Sequence, residues 1–256
     1  MPSVKKTMLE SRLVKRLKQL QITDYREYCD YLFSPEGRRD EVPHFINKVT
    51  TNKTDFFREP NHFTYLTQSI LPTLLKGRGS STQQLRIWSA GCSSGEEAYT
   101  LAMVLLEYAE LHPDQRFDFT ILATDISDSV LGMGKKAVYH SSRIEPVPMA
   151  LRKKYLLKSR DRANPIVKII PEIRKRVTFQ KLNLMDRDFG LPPNIHIAFC
   201  RNVIIYFNKE TQESILNKIL KCVVPRGYLF QGHSESVQGM SLPLEPVYPT
   251  IFQKVR

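Results

Sequence analysis

The 256-residue sequence predicts an α/β fold in which a doubly wound, mostly parallel sheet follows a small all-α domain. The first fifty residues carry apolar side chains at helical spacing and contain no strand pattern. From about Leu85, short apolar runs alternate with helical patterns, which favours parallel strands with helices on both faces of the sheet. A loop of glycine and small residues at 89–95 follows the first of these runs, as in open sheets that bind a ligand beyond the carboxyl ends of their strands.

The segment 1–48 is predicted to form the helical domain. Its first helix carries an apolar row made of Leu9, Leu13, Leu17 and Leu20. A second helix is predicted after Thr23 and Asp24, with apolar positions at Tyr25, Tyr28, Leu32 and Phe33. If the leucine row faces the protein, a rotation of about 100° per residue places Arg12, Lys15 and Lys18 together on the solvent side.

The segment 49–256 is predicted to form the second domain. Its predicted strands are 85–90, 117–124, 177–184, 195–200, 228–231 and 250–255, and its most evident helices are 96–108 and 209–223. A basic stretch punctuated by prolines, at about 138–176, fits neither pattern and is interpreted as an insertion or a small subdomain. The composition of 77–82 is typical of a flexible connector.

Composition and charge restrict the class of protein. No stretch approaches the roughly 18 uninterrupted apolar residues of a membrane helix, and the charged amino terminus lacks the apolar core of a signal peptide, so we expect a cytoplasmic protein without direct membrane insertion. Cys29, Cys92, Cys200 and Cys222 form no C-x-x-C pair, which indicates buried free thiols. The formal net charge of +12 indicates an acidic partner, but charge alone does not choose among nucleic acid, membrane surface and acidic protein.

The loop after the first strand indicates what the fold binds. It lacks both G-x-G-x-x-G and G-x-x-x-x-G-K-[ST], and the helix that follows begins with Glu96 and Glu97, whose carboxylates repel phosphate and attract a cation. The alternative is that these glutamates only complement the helix dipole. Asp125 ends the second strand, where Rossmann-like folds hold ribose hydroxyls, although a helix cap would explain it too. Together these features favour S-adenosylmethionine, a cationic nucleoside without phosphate.

Six stretches of the chain carry a family resemblance. They are "TTNKTDFFRE" (50–59), "IWSAGCSSGEEAYTLAM" (87–103), "ATDIS" (123–127), "LNLM" (182–185), "CRNVIIYF" (200–207) and "GHSES" (232–236). In this order they resemble the CheR family of chemotaxis receptor methyltransferases. The resemblance implies a Rossmann-like class I methyltransferase fold with a small antiparallel β-subdomain, which we place within 138–176. It also implies S-adenosylmethionine-dependent O-methylation of glutamate side chains on the cytoplasmic helical region of chemoreceptors, by a monomer, with S-adenosylhomocysteine as product.

The same resemblance implies roles for individual residues. Cofactor binding falls to Asn52, Thr54, Arg58, Gly91, Glu97, Asp125, Asn183, Leu184, Arg201 and Asn202, with the choice between Glu96 and Glu97 left open. Catalytic roles fall to Arg58, Arg201 and Tyr206, since guanidinium forks suit carboxylates and a phenol could orient the nucleophile. Tyr206 could instead only pack among Ile204, Ile205 and Phe207. No metal is expected, and the basic stripe of Arg12, Lys15 and Lys18 is the expected receptor-docking surface.

Two alternative functions remain open from the sequence. A nucleic-acid methyltransferase would suit the positive charge, but enzymes that methylate base amino groups typically carry [ND]-P-P-[FYW] after the fourth strand, where this chain has "RNVI" (201–204). We therefore expect no nucleic-acid partner. A signalling module that binds S-adenosylmethionine without transferring its methyl group is the other alternative.

Overall fold

The computed structural model describes residues 3–76, 83–161 and 163–255, so the predicted connector at 77–82 lies outside the described residues. The helices are α1 (Ser3–Leu20), α2 (Tyr25–Phe33), α3 (Pro35–Asp40), α4 (Val42–Val49), α5 (Asn61–Tyr65), α6 (Leu71–Leu75), α7 (Glu96–Leu111), α8 (Asp128–Lys136), α9 (Met149–Tyr155), α10 (Pro171–Arg174) and α11 (Lys209–Cys222). The strands are β1 (Gln83–Ala90), β2 (Phe117–Asp125), β3 (Val138–His140), β4 (Leu156–Lys158), β5 (Ile166–Ile169), β6 (Val177–Lys181), β7 (Ile195–Cys200), β8 (Val223–Gln231), β9 (Leu244–Tyr248) and β10 (Ile251–Lys254).

The amino-terminal domain consists of α1 to α4 around a core of its own. Leu13 and Leu17 of α1 pack against Tyr28 and Leu32 of α2, and all four side chains are buried. The leucine spacing therefore predicted the packed face of α1. The helices α3 and α4 were not predicted, because each is short and carries a proline in its first turn, which leaves little room for a 3.6-residue pattern.

The main sheet has the order β6-β2-β1-β7-β8-β10-β9. The first five strands in this order are parallel, whereas β10 and β9 form an antiparallel edge. The chain moves from β1 to β2 and β6 on one side and then crosses to β7 on the other. Strand order thus reverses between β1 and β7, which is where open α/β sheets bind their ligands. The predicted doubly wound sheet is confirmed.

Helices cover both faces of this sheet. Leu85 and Ile87 of β1 belong to the apolar core shared with α7, while Trp88 and Ala90 belong to the core shared with α11. Both faces of the central strand are therefore buried. No helix among the described residues is long and apolar enough to cross a membrane.

The small antiparallel sheet has the order β3-β5-β4 and lies within the predicted interval 138–176.

The expectation of buried free thiols holds for Cys92, Cys200 and Cys222 but is wrong for Cys29, which is free and exposed. Cys29 lies on α2, where the neighbouring Tyr28 takes the buried position instead.

Candidate functional site

A cavity of 410 Å³ lies at the carboxyl edge of the main sheet, bounded by the helical domain on one side. Its volume falls within the range of about 300–1,000 Å³ that ligand pockets occupy. The structure brings every residue predicted to bind the cofactor or to act in catalysis to the wall of this cavity: Asn52, Thr54, Arg58, Gly91, Glu97, Asp125, Asn183, Leu184, Arg201, Asn202 and Tyr206.

Strand register explains why distant residues meet here. Ala90 of β1 is paired with Thr124 of β2, and Ser89 of β1 is paired with Phe199 of β7. The strands therefore end side by side. Asp125, the last residue of β2, and Arg201, the residue after β7, therefore emerge at the same edge of the sheet.

The loop after β1 is fastened to the end of β2. The backbone N–H groups of Gly91 and Cys92 both donate to the Thr124 carbonyl, at 2.8 and 2.9 Å. Gly91 has a φ of +78°, and a Cβ at this position would lie 2.3 Å from a methyl carbon of Val203. Glycine is thus required both by the left-handed backbone and by the close approach of the loop after β7.

Asp125 uses its carboxylate to shape the loops around it. Its Oδ2 accepts the backbone N–H of Ser93 at 2.9 Å, and its Oδ1 accepts that of Ser127 at 3.0 Å. Burial raises the pKa of the Asp125 carboxyl, and these N–H donors oppose that effect. An ionised carboxylate offers about four acceptor positions, so Asp125 retains acceptor capacity toward the cavity.

The structure distinguishes Glu96 from Glu97, a choice the sequence left open. Glu97 lines the cavity, where its Oε1 accepts the Ser89 hydroxyl at 2.6 Å. Glu96 is fully buried, accepts the Ser94 hydroxyl at 2.7 Å and forms an ion pair of 2.5 Å with Arg143. Glu97 is therefore the first-turn glutamate that a ligand in the cavity can contact.

Arg201 is the buried cation of the site, and its side chain is only 2% exposed. Its Nη2 donates to Glu59 Oε2 at 2.9 Å and to the Arg58 carbonyl at 2.5 Å, while its Nη1 donates to Glu97 Oε2 at 3.2 Å. The guanidinium also lies 5.7 Å from the ring centre of Phe63. Two carboxylates and an aromatic ring thus hold Arg201 in one orientation at the cavity wall.

Sequence reasoning missed Glu59 as a functional residue. The residue closes the "TTNKTDFFRE" stretch, yet its partner Arg201 is 142 positions away in the chain. No local spacing connects the two. The available signal was chemical, since a buried arginine in the "CRNV" stretch requires a carboxylate, and the other loop that reaches the same edge offers two, Asp55 and Glu59.

Arg58 and Tyr206 lie at the cavity wall but are less buried than Arg201 and form fewer hydrogen bonds with the protein. Arg58 is half-buried, and its Nη1 donates to the Lys53 carbonyl at 3.2 Å. Tyr206 belongs to a 3₁₀ turn (Ile204–Tyr206), and its side chain is half exposed at the cavity while Ile204 is buried. Half of Tyr206 is thus accessible at the cavity and not buried among its neighbours Ile204, Ile205 and Phe207.

The helical domain closes one side of the cavity. Met8 and Leu9 of α1 and Val49 of α4 belong to its wall. Arg12 of α1 donates to the Val49 carbonyl at 2.6 Å and to the Thr51 hydroxyl at 2.9 Å. The prediction that Arg12 belongs to a free solvent face is wrong, because these bonds turn its side chain toward the linker between the domains.

The other two residues of the predicted stripe, Lys15 and Lys18, are exposed on α1.

A second interdomain contact holds the helical domain against the cavity, since the Ser127 hydroxyl donates to the Asn47 side chain at 2.6 Å. The wall formed by the helical domain is therefore tied to both the linker and the loop after β2.

Glu59, His62 and His233 place potential metal-ligand atoms within 4.8 Å of one another. Both the Nε and the Nη2 of Arg201 donate to Glu59 Oε2, at 3.3 and 2.9 Å. A positive charge is thus already paired with the carboxylate, so this cluster is better described as the environment of Arg201 than as a metal centre.

His62 is expected to make the fold sensitive to acid. Its side chain is fully buried, and burial together with the nearby Arg201 lowers the pKa of His62 to about 4 from its ordinary value of 6.5. As the pH falls from 6.5 to 4, the unfolded chain binds a proton at this residue before the folded chain does. The free energy of unfolding should therefore fall across this window by about 3 kcal/mol through His62 alone.

Urea unfolding at several pH values measures this effect. His62→Gln stays neutral and retains a donor for the Thr250 hydroxyl, which lies 2.8 Å from His62 Nε2, so its stability should depend less on pH than that of wild type. His44→Gln removes an exposed imidazole and serves as the matched control. Parallel pH profiles for His62→Gln and wild type would show that His62 does not titrate as described.

Comparison with known proteins matches both parts of the chain to one family. The family model described as "CheR methyltransferase, all-alpha domain" matches residues 1–50, and the one described as "CheR methyltransferase, SAM binding domain" matches residues 52–251.

Similar proteins cover almost the whole chain. A chemotaxis protein methyltransferase from Borreliella burgdorferi is 41% identical over 98% of this chain and 87% of its own length. Chemotaxis protein methyltransferase 2 from Pseudomonas aeruginosa is 34% identical over 97% of this chain and 85% of its own length. A chemotaxis protein methyltransferase from Escherichia coli is 33% identical, with corresponding coverage of 91% and 77%.

Proposed function

Because this chain belongs to the CheR family of S-adenosylmethionine-dependent chemotaxis methyltransferases, we propose that it esterifies glutamate side chains on the cytoplasmic helices of chemoreceptors. The observation that carries the proposal is the charge pattern of the cavity. Two carboxylates, Glu97 and Asp125, line the cavity from its sheet side. Arg58 also lines it, next to Lys53 and Asp55, and donates to a backbone carbonyl.

The residues present fit S-adenosylmethionine, which when bound supplies an electrophilic methyl group on a sulfonium sulfur. Asp125 has acceptor positions for ribose hydroxyls, and Glu97 offers negative charge to the methionine ammonium. Met8, Leu9 and Leu184 give the cavity apolar surface against which a base can lie. Glu96 and Glu97 occupy the first turn of α7, so a phosphate group would be repelled there.

The acceptor requires alignment more than deprotonation. A solvent-exposed glutamate side chain ordinarily has a pKa near 4.3, so at neutral pH it is already an anionic nucleophile. The protein must hold the carboxylate oxygen in line with the methyl carbon and exclude water, and positioning of this kind supplies roughly 7 to 11 kcal/mol. No general base is needed for this step.

The hydrogen bonds of Arg201 and Arg58 suggest a different role for each arginine. Arg201 is already bound to Glu59 and Glu97, so its role in the proposal is to orient Glu97 and to support the cavity wall. Arg58 donates to the Lys53 carbonyl and retains further N–H groups that can receive an incoming carboxylate. The geometry of a planar fork suits that task.

Tyr206 is assigned to the acceptor side, where its hydroxyl can donate to the reacting carboxylate. Tyr206→Phe is expected to lower turnover about tenfold while S-adenosylhomocysteine affinity stays close to wild type, since an interaction made mainly in the transition state affects kcat. Initial rates and calorimetric titration measure the two quantities, with Tyr248→Phe as a control outside the cavity wall. Equal losses in rate and affinity would instead identify Tyr206 as a cofactor contact.

Methyl transfer from tritiated S-adenosylmethionine tests the proposed reaction. A chemoreceptor cytoplasmic fragment should become labelled, and mild alkali should release the label as methanol because carboxyl methyl esters are base-labile. Alkali-stable label on the fragment, or label on nucleic acid, would exclude the proposed reaction. Cofactor binding without label on any acceptor would favour the non-catalytic signalling module.

Lys15 and Lys18 are the proposed receptor-docking residues. Arg12 is not part of this surface, because its side chain is bound to the interdomain linker. Both lysines are exposed on α1, the helix that also carries Met8 and Leu9 of the cavity wall. A glutamate-rich receptor approaching the cavity would therefore meet positive charge beside it, and charge of this kind raises the association rate by long-range attraction.

Reversing both charges tests this docking surface. Lys15→Glu/Lys18→Glu should reduce the methylation rate on intact receptor severalfold at low salt and much less at high salt, where the attraction is screened, with no change in cofactor affinity. Lys221→Glu/Arg226→Glu makes the same change in net charge near the amino end of β8, away from the cavity, and is the matched control. Wild-type rates at low salt for the α1 variant would show that its lysines form only a solvated face.

A further inference from the structure

Glu235, in the turn after β8, has a carboxylate surrounded by backbone donors. Its Oε2 accepts the N–H groups of Gly232 at 2.7 Å and Asn202 at 2.9 Å, and its Oε1 accepts those of Val203 at 2.9 Å and Ile204 at 3.0 Å. The residue is only 7% exposed. Four N–H donors thus converge on one buried anion that belongs to the protein itself.

The segment 202–204 depends on this anion for its hydrogen bonds. It follows the end of β7 and turns sharply, since Asn202 adopts a left-handed φ of 59°. Three successive N–H groups of such a turn point to one side, and concavities of this kind bind anions. Without an acceptor, each buried N–H would cost about 1–3 kcal/mol. Glu235 supplies that acceptor from the turn that follows the neighbouring strand β8.

The same segment carries residues of the cavity wall on both sides. Arg201 and Asn202 stand at its beginning, and the 3₁₀ turn Ile204–Tyr206, whose first N–H also donates to Glu235, places Tyr206 at its end. Gly232 packs closely against this segment, because a Cβ there would lie 2.4 Å from the Asn202 side-chain nitrogen. The position of three cavity residues is therefore coupled to a carboxylate that does not line the cavity.

We propose that Glu235 is a positioning residue, an internal anion that holds 201–206 in the conformation that binds S-adenosylmethionine. A carboxylate is suited to this role because it accepts on both oxygens, whereas an amide or a protonated carboxyl would direct its own hydrogen at one pair of N–H groups. Only the expected effect on turnover rests on the proposed function. Cofactor affinity reports on the conformation of 201–206 whichever molecule receives the methyl group.

Glu235→Gln tests the proposal. The expected result is S-adenosylhomocysteine affinity weakened by at least about tenfold, because only a fraction of the folded molecules would hold the segment in the binding conformation. Turnover on receptor should fall as well. Glu41→Gln is the matched control, since Glu41 is a buried carboxylate bonded to Arg16 and Tyr28 in the helical domain, and its loss should lower the melting temperature while cofactor affinity stays unchanged.

Two outcomes would overturn the proposal. One is a Glu235→Gln variant that behaves like Glu41→Gln, less stable but with wild-type cofactor affinity. The other needs no variant: in the wild-type protein, the amide hydrogens of Asn202, Val203, Ile204 and Gly232 should exchange slowly with solvent. Exchange at the rate of unprotected amides would show that the carboxylate does not hold them, even if Glu235→Gln fails to fold.

Discussion

Arg201→Met is expected to lower the free energy of unfolding by about 3 kcal/mol, because it leaves the carboxylates of Glu59 and Glu97, only 11% and 14% exposed, without the cation they share. The same variant should bind S-adenosylhomocysteine on the order of a hundredfold more weakly, since Glu97 loses its orientation and the cavity loses part of its wall. Urea unfolding and calorimetric titration measure the two effects separately.

Arg176→Met is the matched control for this prediction. Arg176 also pairs with a carboxylate, that of Asp118, but both side chains are about one-third exposed. Exposed ion pairs contribute about 0–1 kcal/mol, so this variant should unfold near the wild-type midpoint and bind the cofactor normally. If Arg201→Met matched the control in both measurements, the buried network around Arg201 would not support the cavity.

Asp125→Ala is expected to weaken S-adenosylmethionine and S-adenosylhomocysteine alike, by on the order of a hundredfold or more. The substitution removes the acceptors for ribose hydroxyls and also releases the N–H groups of Ser93 and Ser127 that shape the adjoining loops. Both ligands share the adenosyl part, so the loss should not depend on the methyl group.

Asp128→Ala provides the comparison for Asp125, since Asp128 is an exposed aspartate three residues further along that pairs with Lys181. Its affinity for both ligands should equal that of wild type. Wild-type affinity in Asp125→Ala, measured by the same calorimetric titration, would show that the ribose assignment is wrong.

The alternation of apolar runs and helical patterns identified most of the sheet because buried parallel strands consist largely of apolar residues. The predicted strand at 250–255 corresponds to β10, but its partner β9 was missed. β9 contains Glu245 and Pro246 and lies at the exposed edge, where burial imposes no apolar pattern. The predicted strand 177–184 ends at Lys181, since Leu182 and Leu184 are buried in the loop that approaches the cavity rather than in the sheet.

The cavity residues could be predicted because they lie in short segments directly after strands, where a motif and its position in the fold coincide. Residues that act through long-range partners could not. The role of Glu59 depends on its ion pair with Arg201, and the role of Glu235 depends on the N–H groups of 202–204. Neither partner can be identified from a pattern of side chains in the sequence. Arg12 was misplaced for a related reason, since helical periodicity gives the direction of a side chain but not the linker that receives it.

Glutamate methylation can be read directly by tandem mass spectrometry of a chemoreceptor cytoplasmic fragment, after incubation with the protein and S-adenosylmethionine carrying a deuterated methyl group. We expect the labelled methyl group on glutamate side-chain carboxyls, and no label there when Arg201→Met replaces the wild-type protein. Label on lysine or another side chain would show that the protein does not methylate glutamate. An unlabelled receptor, in the presence of protein that binds the cofactor, would show that it does not methylate this receptor.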